Sequence, residues 1–101
     1  MLQVLTDKIR TWAIVRELDA ADPAKQMLKL GEEYGELCSA LARSDEWETA
    51  DAIGDMFVVL TILSMQLGLS VEHCVEEAYE EIKDRKGKMI NGVFVKEADL
   101  P

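Results

Sequence analysis

The sequence is poor in the residues that mark disulfide scaffolds and soft-metal sites. Its 101 residues include two cysteines, two prolines, six glycines and one histidine. Two cysteines do not make a disulfide framework, and we expect Cys38 and Cys74 to be reduced core residues of a cytosolic protein, because free cysteine is commonly buried. With one histidine and no cysteine pair at zinc spacing, zinc and iron sites are unsupported. Few prolines and glycines favour helices.

Positive charge is also scarce. Eleven Lys and Arg residues stand against twenty Asp and Glu, which gives a formal net charge of −9. Nucleic acid is bound through dense basic side chains, so a nucleic-acid partner is excluded, and an anionic small substrate would need a bridging cation. The longest uncharged stretch, Met56 to Val71, is short for a bilayer span. Residues 1–10 include Asp7, Lys8 and Arg10, which the apolar core of a signal peptide would lack. We therefore expect a cytoplasmic protein with no membrane partner.

Helical periodicity is what the sequence has in abundance. We expect one domain over residues 1–101, with an all-α, four-helix fold and a short extended C-terminal tail. Asn91-Gly92, flanked by apolar residues, is a hairpin cue, although an extended arm is the alternative because the chain supplies no third strand. The predicted helices run from about Thr6 to Leu18, from Pro23 to about Arg43, from about Glu46 to Leu67, and from a Ser70 cap to a stop near Gly87.

The second and third helices carry most of the apolar pattern. On the second helix, one apolar stripe has Glu33 at its border; the stripe comprises Met27, Leu30, Tyr34, Leu37 and Leu41. The third helix is apolar nearly all round after Asp55, and such a helix is enclosed by neighbours. A chain this short has few helices to enclose it, so we expect a homo-oligomer, a dimer or a tetramer. The predicted buried side of the fourth helix comprises Val71, Cys74, Val75, Ala78 and Ile82.

Two acidic stretches stand out at helical spacing. Glu33 and Glu36 share one side of the second helix, with Glu32 close by, and Asp51 lies one turn before Asp55 on the third. An unpaired carboxylate at the head of an apolar helix would be costly to bury. A hard divalent cation shared between the two helices removes that cost, and Mg²⁺ or Mn²⁺ prefers such oxygen ligands.

A basic cluster lies at the end of the predicted fourth helix and its exit. It includes Lys83, Arg85 and Lys86, in an otherwise acidic chain. The cluster could simply complement the negative end of the helix dipole. Paired with an acidic metal site, it suggests instead a metal-bound polyphosphate substrate.

The first acidic motif is Glu33-x-x-Glu36; after a spacer, the second is an acidic helix with Gly54-Asp55 before an apolar run. The two motifs together resemble those of the MazG-like nucleoside triphosphate pyrophosphohydrolases. These belong to the all-α NTP pyrophosphatase superfamily, with the dimeric dUTPases and the phosphoribosyl-ATP pyrophosphohydrolases. The resemblance covers roughly Lys29 to Lys88. It implies Mg²⁺-dependent hydrolysis of an NTP or dNTP to the monophosphate and pyrophosphate, in nucleotide-pool house-cleaning or control.

The resemblance also implies roles for individual residues. Glu33, Glu36 and Asp55 would be metal ligands, and the basic cluster of Lys83, Arg85 and Lys86 would contact phosphate. Glu32 or Glu36 would be the base that activates water.

One position departs from the family pattern. The family usually has Glu three residues before Asp55, where this chain has Ala52; Asp51, one position earlier, is the nearest substitute as a metal ligand. The alternative interpretation is therefore a helical oligomerisation or regulatory module that kept the fold and lost the activity. A four-helix di-iron carboxylate protein is disfavoured, because that fold uses Glu-x-x-His pairs.

Overall fold

The computed structural model describes all 101 residues and consists mainly of α-helices. The four expected helices are present, which confirms the all-α fold class. They are α1 (Leu2–Val15), α2 (Pro23–Ala42), α3 (Glu46–Gln66) and α4 (Val71–Ile82), with a 3₁₀ turn at Leu18–Ala20, strands β1 (Gly87–Ile90) and β2 (Val93–Lys96), and a last 3₁₀ turn at Glu97–Asp99.

The chain forms two compact units. The first, Met1–Val71, contains α1, α2 and α3, and the second, Glu72–Pro101, contains most of α4 and the two strands. Within the first unit, α3 packs against both α2 and α1. The acidic residues singled out in the sequence all belong to this first unit.

The caps of α2 and α3 are the expected ones. Asp22 accepts a hydrogen bond from the backbone N–H of Ala24 at 2.9 Å, and Pro23 is the first helical residue. Asp45 accepts from the backbone N–H of Glu48 at 3.0 Å at the start of α3. These side chains satisfy N–H groups that the first helical turn leaves without backbone partners, so both acidic helices begin where the sequence predicts.

The expected bounds of α1 are wrong at both ends. The helix begins at Leu2, and the hydroxyl of Thr6 donates to the Leu2 carbonyl one turn back at 2.8 Å, so Thr6 lies inside the helix. It ends at Val15 because Glu17 adopts a left-handed conformation with φ of 59°. A residue in that conformation cannot continue a right-handed helix.

The expected stop of α4 near Gly87 is also wrong. The helix ends at Ile82, and Gly87 instead opens β1 opposite Lys96 of β2. A Cβ atom at this position would overlap the carbonyl oxygen of Val95. Glycine therefore serves strand pairing here and not helix termination.

The C-terminal residues form a β-hairpin, so the extended-tail alternative is wrong. Strands β1 and β2 are antiparallel, and Ile90 pairs with Val93 across a two-residue turn. Asn91 and Gly92 have φ values of 51° and 80°. Two consecutive positive φ angles are what a type I′ turn requires, and Asn-Gly is its preferred sequence.

The inward face of α2 differs from the expected stripe. Glu33 and Ala40 are buried, and Gln26, Leu30 and Leu37 are half-buried, at the spacing of one helical face. Of the predicted stripe, Met27, Tyr34 and Leu41 are exposed. Each of these three follows an inward residue directly, so the helix presents a face about 100° away from the most apolar one.

Several other predicted core positions are exposed as well. Cys38 and Cys74 are free, as expected, but both are exposed. On α4 only Val71 is buried among the predicted inward residues.

None of the helices is by itself long and apolar enough to cross a membrane; only α3 and α4 taken together across their break reach that length and hydropathy.

Candidate metal centre

Three carboxylates meet between α2 and α3. Glu33 and Glu36 lie one turn apart on α2, and Asp55 comes from the middle of α3. One oxygen from each lies within 4.8 Å of the others. Glu33 is buried, Asp55 is half-buried and Glu36 is exposed, so the cluster runs from the helix interface to solvent.

Glu33 is the innermost member of the cluster. The residue is only 6 % exposed, and its buried Oε2 atom has no hydrogen-bond partner. Burial raises the pKa of Glu33, and the nearby carboxylates of Glu36 and Asp55 raise it further. A buried carboxylate oxygen without a partner is costly and needs a compensating cation or proton.

Asp55 shares this environment and has Asp51 beside it. Burial is the largest cause of the raised pKa of Asp55, followed by the charge of Asp51 and a hydrogen bond with it, and then by Glu36. Asp51 is exposed and lies one turn earlier on α3. The structure thus brings Asp51 to the edge of the cluster, next to Asp55, although it is not one of the three clustered ligands.

Ala52 occupies the position where the resembling family has glutamate. The residue is 3 % exposed and lies one turn before Asp55. Position 52 therefore points inward on α3, and its alanine offers no carboxylate there. The fourth acidic group comes instead from the exposed neighbouring position, that of Asp51.

Glu32 and Lys29 form the outer side of the cluster. Lys29 Nζ lies 3.5 Å from Glu32 Oε2 and 3.7 Å from Glu33 Oε1. The charges of Glu32 and then Glu33 raise the pKa of Lys29, and its ammonium in turn opposes the raised pKa of both Glu33 and Asp55. Sequence reasoning missed Lys29, although its spacing of three and four residues from these glutamates is the signal of a helical ion pair.

The donor set fits a hard divalent cation. Its members are all carboxylates, and one of them, Glu33, has a buried oxygen without a partner. In an octahedral Mg²⁺ site with ligands at about 2.1 Å, neighbouring oxygens lie about 3.0 Å apart and opposite ones about 4.2 Å apart. Oxygens that lie within 4.8 Å of one another therefore need to close by roughly 2 Å or less to reach that spacing.

The predicted phosphate-binding residues belong to the second unit. Lys83 pairs with Glu80 at 2.8 Å, one turn earlier at the end of α4. Arg85 and Lys86 follow in the exposed segment before β1, and the Lys86 carbonyl accepts a hydrogen bond from the backbone N–H of Glu97 at 2.8 Å. A role for these three residues in binding phosphate stays a prediction.

Two cavities lie near the cluster within the first unit, and one of them is lined by a cluster residue, Asp55. A groove of about 810 Å³ between α1 and α3 includes Leu5, Trp12, Phe57, Asp51 and Asp55 in its lining. It is lined mainly by apolar side chains, and its acidic end is the edge of the carboxylate cluster.

A second, smaller cavity lies between the first 3₁₀ turn, α2 and α3. It has a volume of about 360 Å³, and Lys29, Trp12 and Gln66 are among its lining residues. Gln66 Nε2 donates to the Leu18 carbonyl at 2.9 Å, while its buried Oε1 has no hydrogen-bond partner. The carbonyl fixes the orientation of the amide, so Oε1 is an acceptor.

Comparison with known proteins agrees with this arrangement. Residues 7–85 match a family model described as phosphoribosyl-ATP pyrophosphohydrolase. That family is part of the all-α NTP pyrophosphatase superfamily to which the two acidic motifs point, so the superfamily is confirmed, and the narrower MazG-like assignment stays a prediction.

The chain is also similar to a protein of Haemophilus phage HP1 (strain HP1c1), which is called an uncharacterized 18.2 kDa protein in the rep-hol intergenic region. The two are 47% identical over 66 residues, which cover 64% of this chain and 40% of the phage protein. The match thus spans less than half the length of that relative. No solved structure matches the chain.

Proposed function

Because the chain belongs to the phosphoribosyl-ATP pyrophosphohydrolase family, we propose that it is a Mg²⁺-dependent pyrophosphohydrolase. Its substrate is a nucleoside triphosphate, NTP or dNTP, which it cleaves to the monophosphate and pyrophosphate. Mn²⁺ is the alternative metal, because it accepts the same oxygen ligands.

One observation carries the proposal. Glu33, Glu36 and Asp55 converge from two helices within 4.8 Å, and the innermost of them keeps a buried oxygen without a partner. A solvated acidic surface does not account for a carboxylate that is buried and surrounded by like charges. A divalent cation supplies the missing partner and offsets the repulsion.

The residues divide into ligands and a base. Glu33, Glu36 and Asp55 would hold the metal, and Asp51, beside Asp55, would support it directly or through water. When bound, the metal polarises the phosphoryl oxygens and lowers the pKa of a water molecule. Glu32 or Glu36, both exposed beside the cluster, accepts the proton of the attacking water.

The experiment is a pyrophosphate-release assay with and without Mg²⁺ on a panel of triphosphates. The panel contains the common NTPs and dNTPs together with phosphoribosyl-ATP, the substrate that the family description names. We expect release from at least one nucleoside triphosphate that depends on Mg²⁺. If phosphoribosyl-ATP alone were hydrolysed, the substrate would be the one in the family description and not a nucleoside triphosphate.

We also propose that the protein works as a homo-oligomer. The support is the large share of uncovered apolar surface, which includes Met27 and Tyr34 on α2 and Ile53 and Leu60 on α3. Surfaces of this kind usually mark interaction sites. Light scattering coupled to size-exclusion chromatography tests this, and a monomer at micromolar concentration would contradict it.

The second candidate is a helical oligomerisation or regulatory module without activity. Ala52 favours it, because the inward position of α3 lacks a carboxylate. Pyrophosphate release with and without Mg²⁺ separates the two candidates. An active enzyme releases pyrophosphate and loses this activity in Glu36→Gln and Asp55→Asn, whereas an inactive module turns over no nucleotide.

A further inference from the structure

We propose that Lys29 is a substrate-positioning residue: its ammonium pairs with Glu32 and Glu33 in the metal-free protein and moves to a phosphate oxygen of the substrate when the metal is bound. This inference rests on the proposed function. It adds a phosphate-binding group that lies in the first unit, on the same helix as two of the metal ligands.

The first support is the loose geometry of the ion pair. Lys29 Nζ lies 3.5 Å and 3.7 Å from its two carboxylate oxygens. Both distances exceed the roughly 2.7–2.9 Å of a well-formed charge-assisted hydrogen bond. The ammonium is therefore shared between two acceptors and not committed to either of them.

The second support is the position of Lys29 between solvent and the cluster. Its side chain is 56 % exposed, whereas that of Glu33 is 8 % exposed. The flexible stem of a lysine lets its ammonium change partners without moving the helix. Once a metal ion neutralises the carboxylates, their attraction for Lys29 falls and the ammonium becomes available to another anion.

The third support is the cavity beside Lys29. Lys29 lines the 360 Å³ cavity between the first 3₁₀ turn, α2 and α3. Its ammonium also lies 3.7 Å from Glu33 Oε1, the innermost member of the cluster. Lys29 is thus close enough to the cluster to contact a phosphate group of a substrate that a metal would hold there.

The test uses the full chain and two titrations. Calorimetry measures the affinity for Mg²⁺ alone, and then, at saturating Mg²⁺, the affinity for an α,β-imido nucleoside triphosphate that cannot be hydrolysed. For Lys29→Met we expect Mg²⁺ affinity equal to or higher than that of the original protein, because a competing cation is gone. We expect the analogue to bind about 10- to 100-fold more weakly, as for the loss of a hydrogen bond between charged groups.

Lys25→Met is the matched control, because it removes the same charge from the same helix one turn farther from Glu33, at the lining of the same cavity. It should change analogue affinity by less than about twofold. Lys29→Arg should recover part of the lost affinity, since it restores the charge.

Two results would overturn the inference. Unchanged analogue binding by Lys29→Met shows that Lys29 does not hold phosphate, and an equal loss of Mg²⁺ and analogue affinity shows a structural role. Absence of Mg²⁺ binding by the original chain is a different failure. It refutes the proposed function itself, and the inference with it.

Discussion

Glu33 of α2 and Asp55 of α3 each place a carboxylate oxygen within 4.8 Å of the other, and Glu36 belongs to the same cluster. Asp55 is among the causes of the raised pKa of Glu33, and Glu36 raises the pKa of both. The metal-free fold therefore holds together acidic groups that favour the bound proton. A divalent cation would offset the repulsion among these carboxylates at neutral pH, where protons are scarce.

The stability of the metal-free protein should fall as pH rises. Glu33 and Asp55 keep protons in the folded state at pH values where the unfolded chain has lost them, since ordinary carboxyl pKa values are about 4. The contribution of these residues to the free energy of unfolding is thus greatest below pH about 4 and is lost as pH rises through their raised pKa values. Thermal melts in EDTA from pH 4 to 8 measure it, after the slope of the Glu33→Gln, Asp55→Asn double variant is subtracted.

Mg²⁺ should reverse that loss at neutral pH. At a concentration 100 times the dissociation constant, a ligand of the folded state alone adds about 2.7 kcal/mol to the free energy of unfolding. We expect a rise in melting temperature at pH 7.5 and a smaller rise as pH falls, because the raised pKa values of Glu33 and Asp55 let protons compete with the ion. A rise of equal size at every pH would contradict binding at this cluster.

Glu33→Gln should stabilise the metal-free protein and remove metal binding. The amide of Gln can donate to Glu36 or Asp55, and the variant removes a buried charge from among like charges. A gain of about 1–3 kcal/mol in the free energy of unfolding at pH 7.5 is the expected scale. Glu48→Gln is the control, because Glu48 is exposed on α3 and is not part of the clustered group.

Denaturant unfolding and Mg²⁺ calorimetry provide the two readouts for this pair. Unchanged Mg²⁺ affinity in Glu33→Gln would show that the cluster is not the metal site. Loss of Mg²⁺ affinity in Glu48→Gln would lead to the same conclusion.

The Ala52 position should respond to a restored carboxylate. In Ala52→Glu, a charged side chain enters a position that is 3 % exposed, so the metal-free protein should lose about 3 kcal/mol or more of stability. Mg²⁺ should recover most of this loss, and the affinity for the ion should increase, because a further ligand is available. Ala50→Glu, at an exposed position on the same helix, should do neither.

Asp51→Asn completes that comparison. If Asp51 supports the metal beside Asp55, the variant should weaken Mg²⁺ binding severalfold in the original chain and less in the Ala52→Glu background. Equal effects in both backgrounds would show that Asp51 is not a substitute for the missing glutamate.

The C-terminal hairpin makes a prediction independent of the metal site. Gly87→Ala places a Cβ atom against the Val95 carbonyl and the Phe94 ring. The pairing of β1 and β2 should weaken by about 1–3 kcal/mol, the usual cost of forcing an atom into filled space. Hydrogen exchange of the strand amides measures this, and Lys88→Ala, an exposed neighbour on β1, should leave exchange unchanged.

The starts of α2 and α3 could be predicted from sequence because local capping rules govern them, whereas the predicted start of α1 is wrong. Asp22 and Asp45 cap α2 and α3 as their residue types predict. Helical spacing places Glu33 and Glu36 on one side of α2. Asp55 precedes an apolar stretch of α3, and a carboxylate buried there needs a cation to offset its charge. A shared site between two adjacent helices satisfies both constraints.

The inward face of α2 could not be predicted in the same way. Periodicity selects the most apolar stripe, but Gln26 and Glu33 lie on the inward face while Met27 and Tyr34 are exposed. Gln26 is held there by a hydrogen bond from its Nε2 to the Val59 carbonyl of α3 at 3.2 Å. Which neighbour a helix face meets depends on tertiary contacts, and a single sequence pattern does not contain that information.

The decisive measurement is pyrophosphate release from a panel of NTPs and dNTPs, with Mg²⁺ present and with EDTA. We expect Mg²⁺-dependent release by the original chain and its loss in both Glu36→Gln and Asp55→Asn, while Glu48→Gln stays active. No release from any nucleoside triphosphate by the folded protein, or release that persists in Glu36→Gln and Asp55→Asn, would contradict the proposed function.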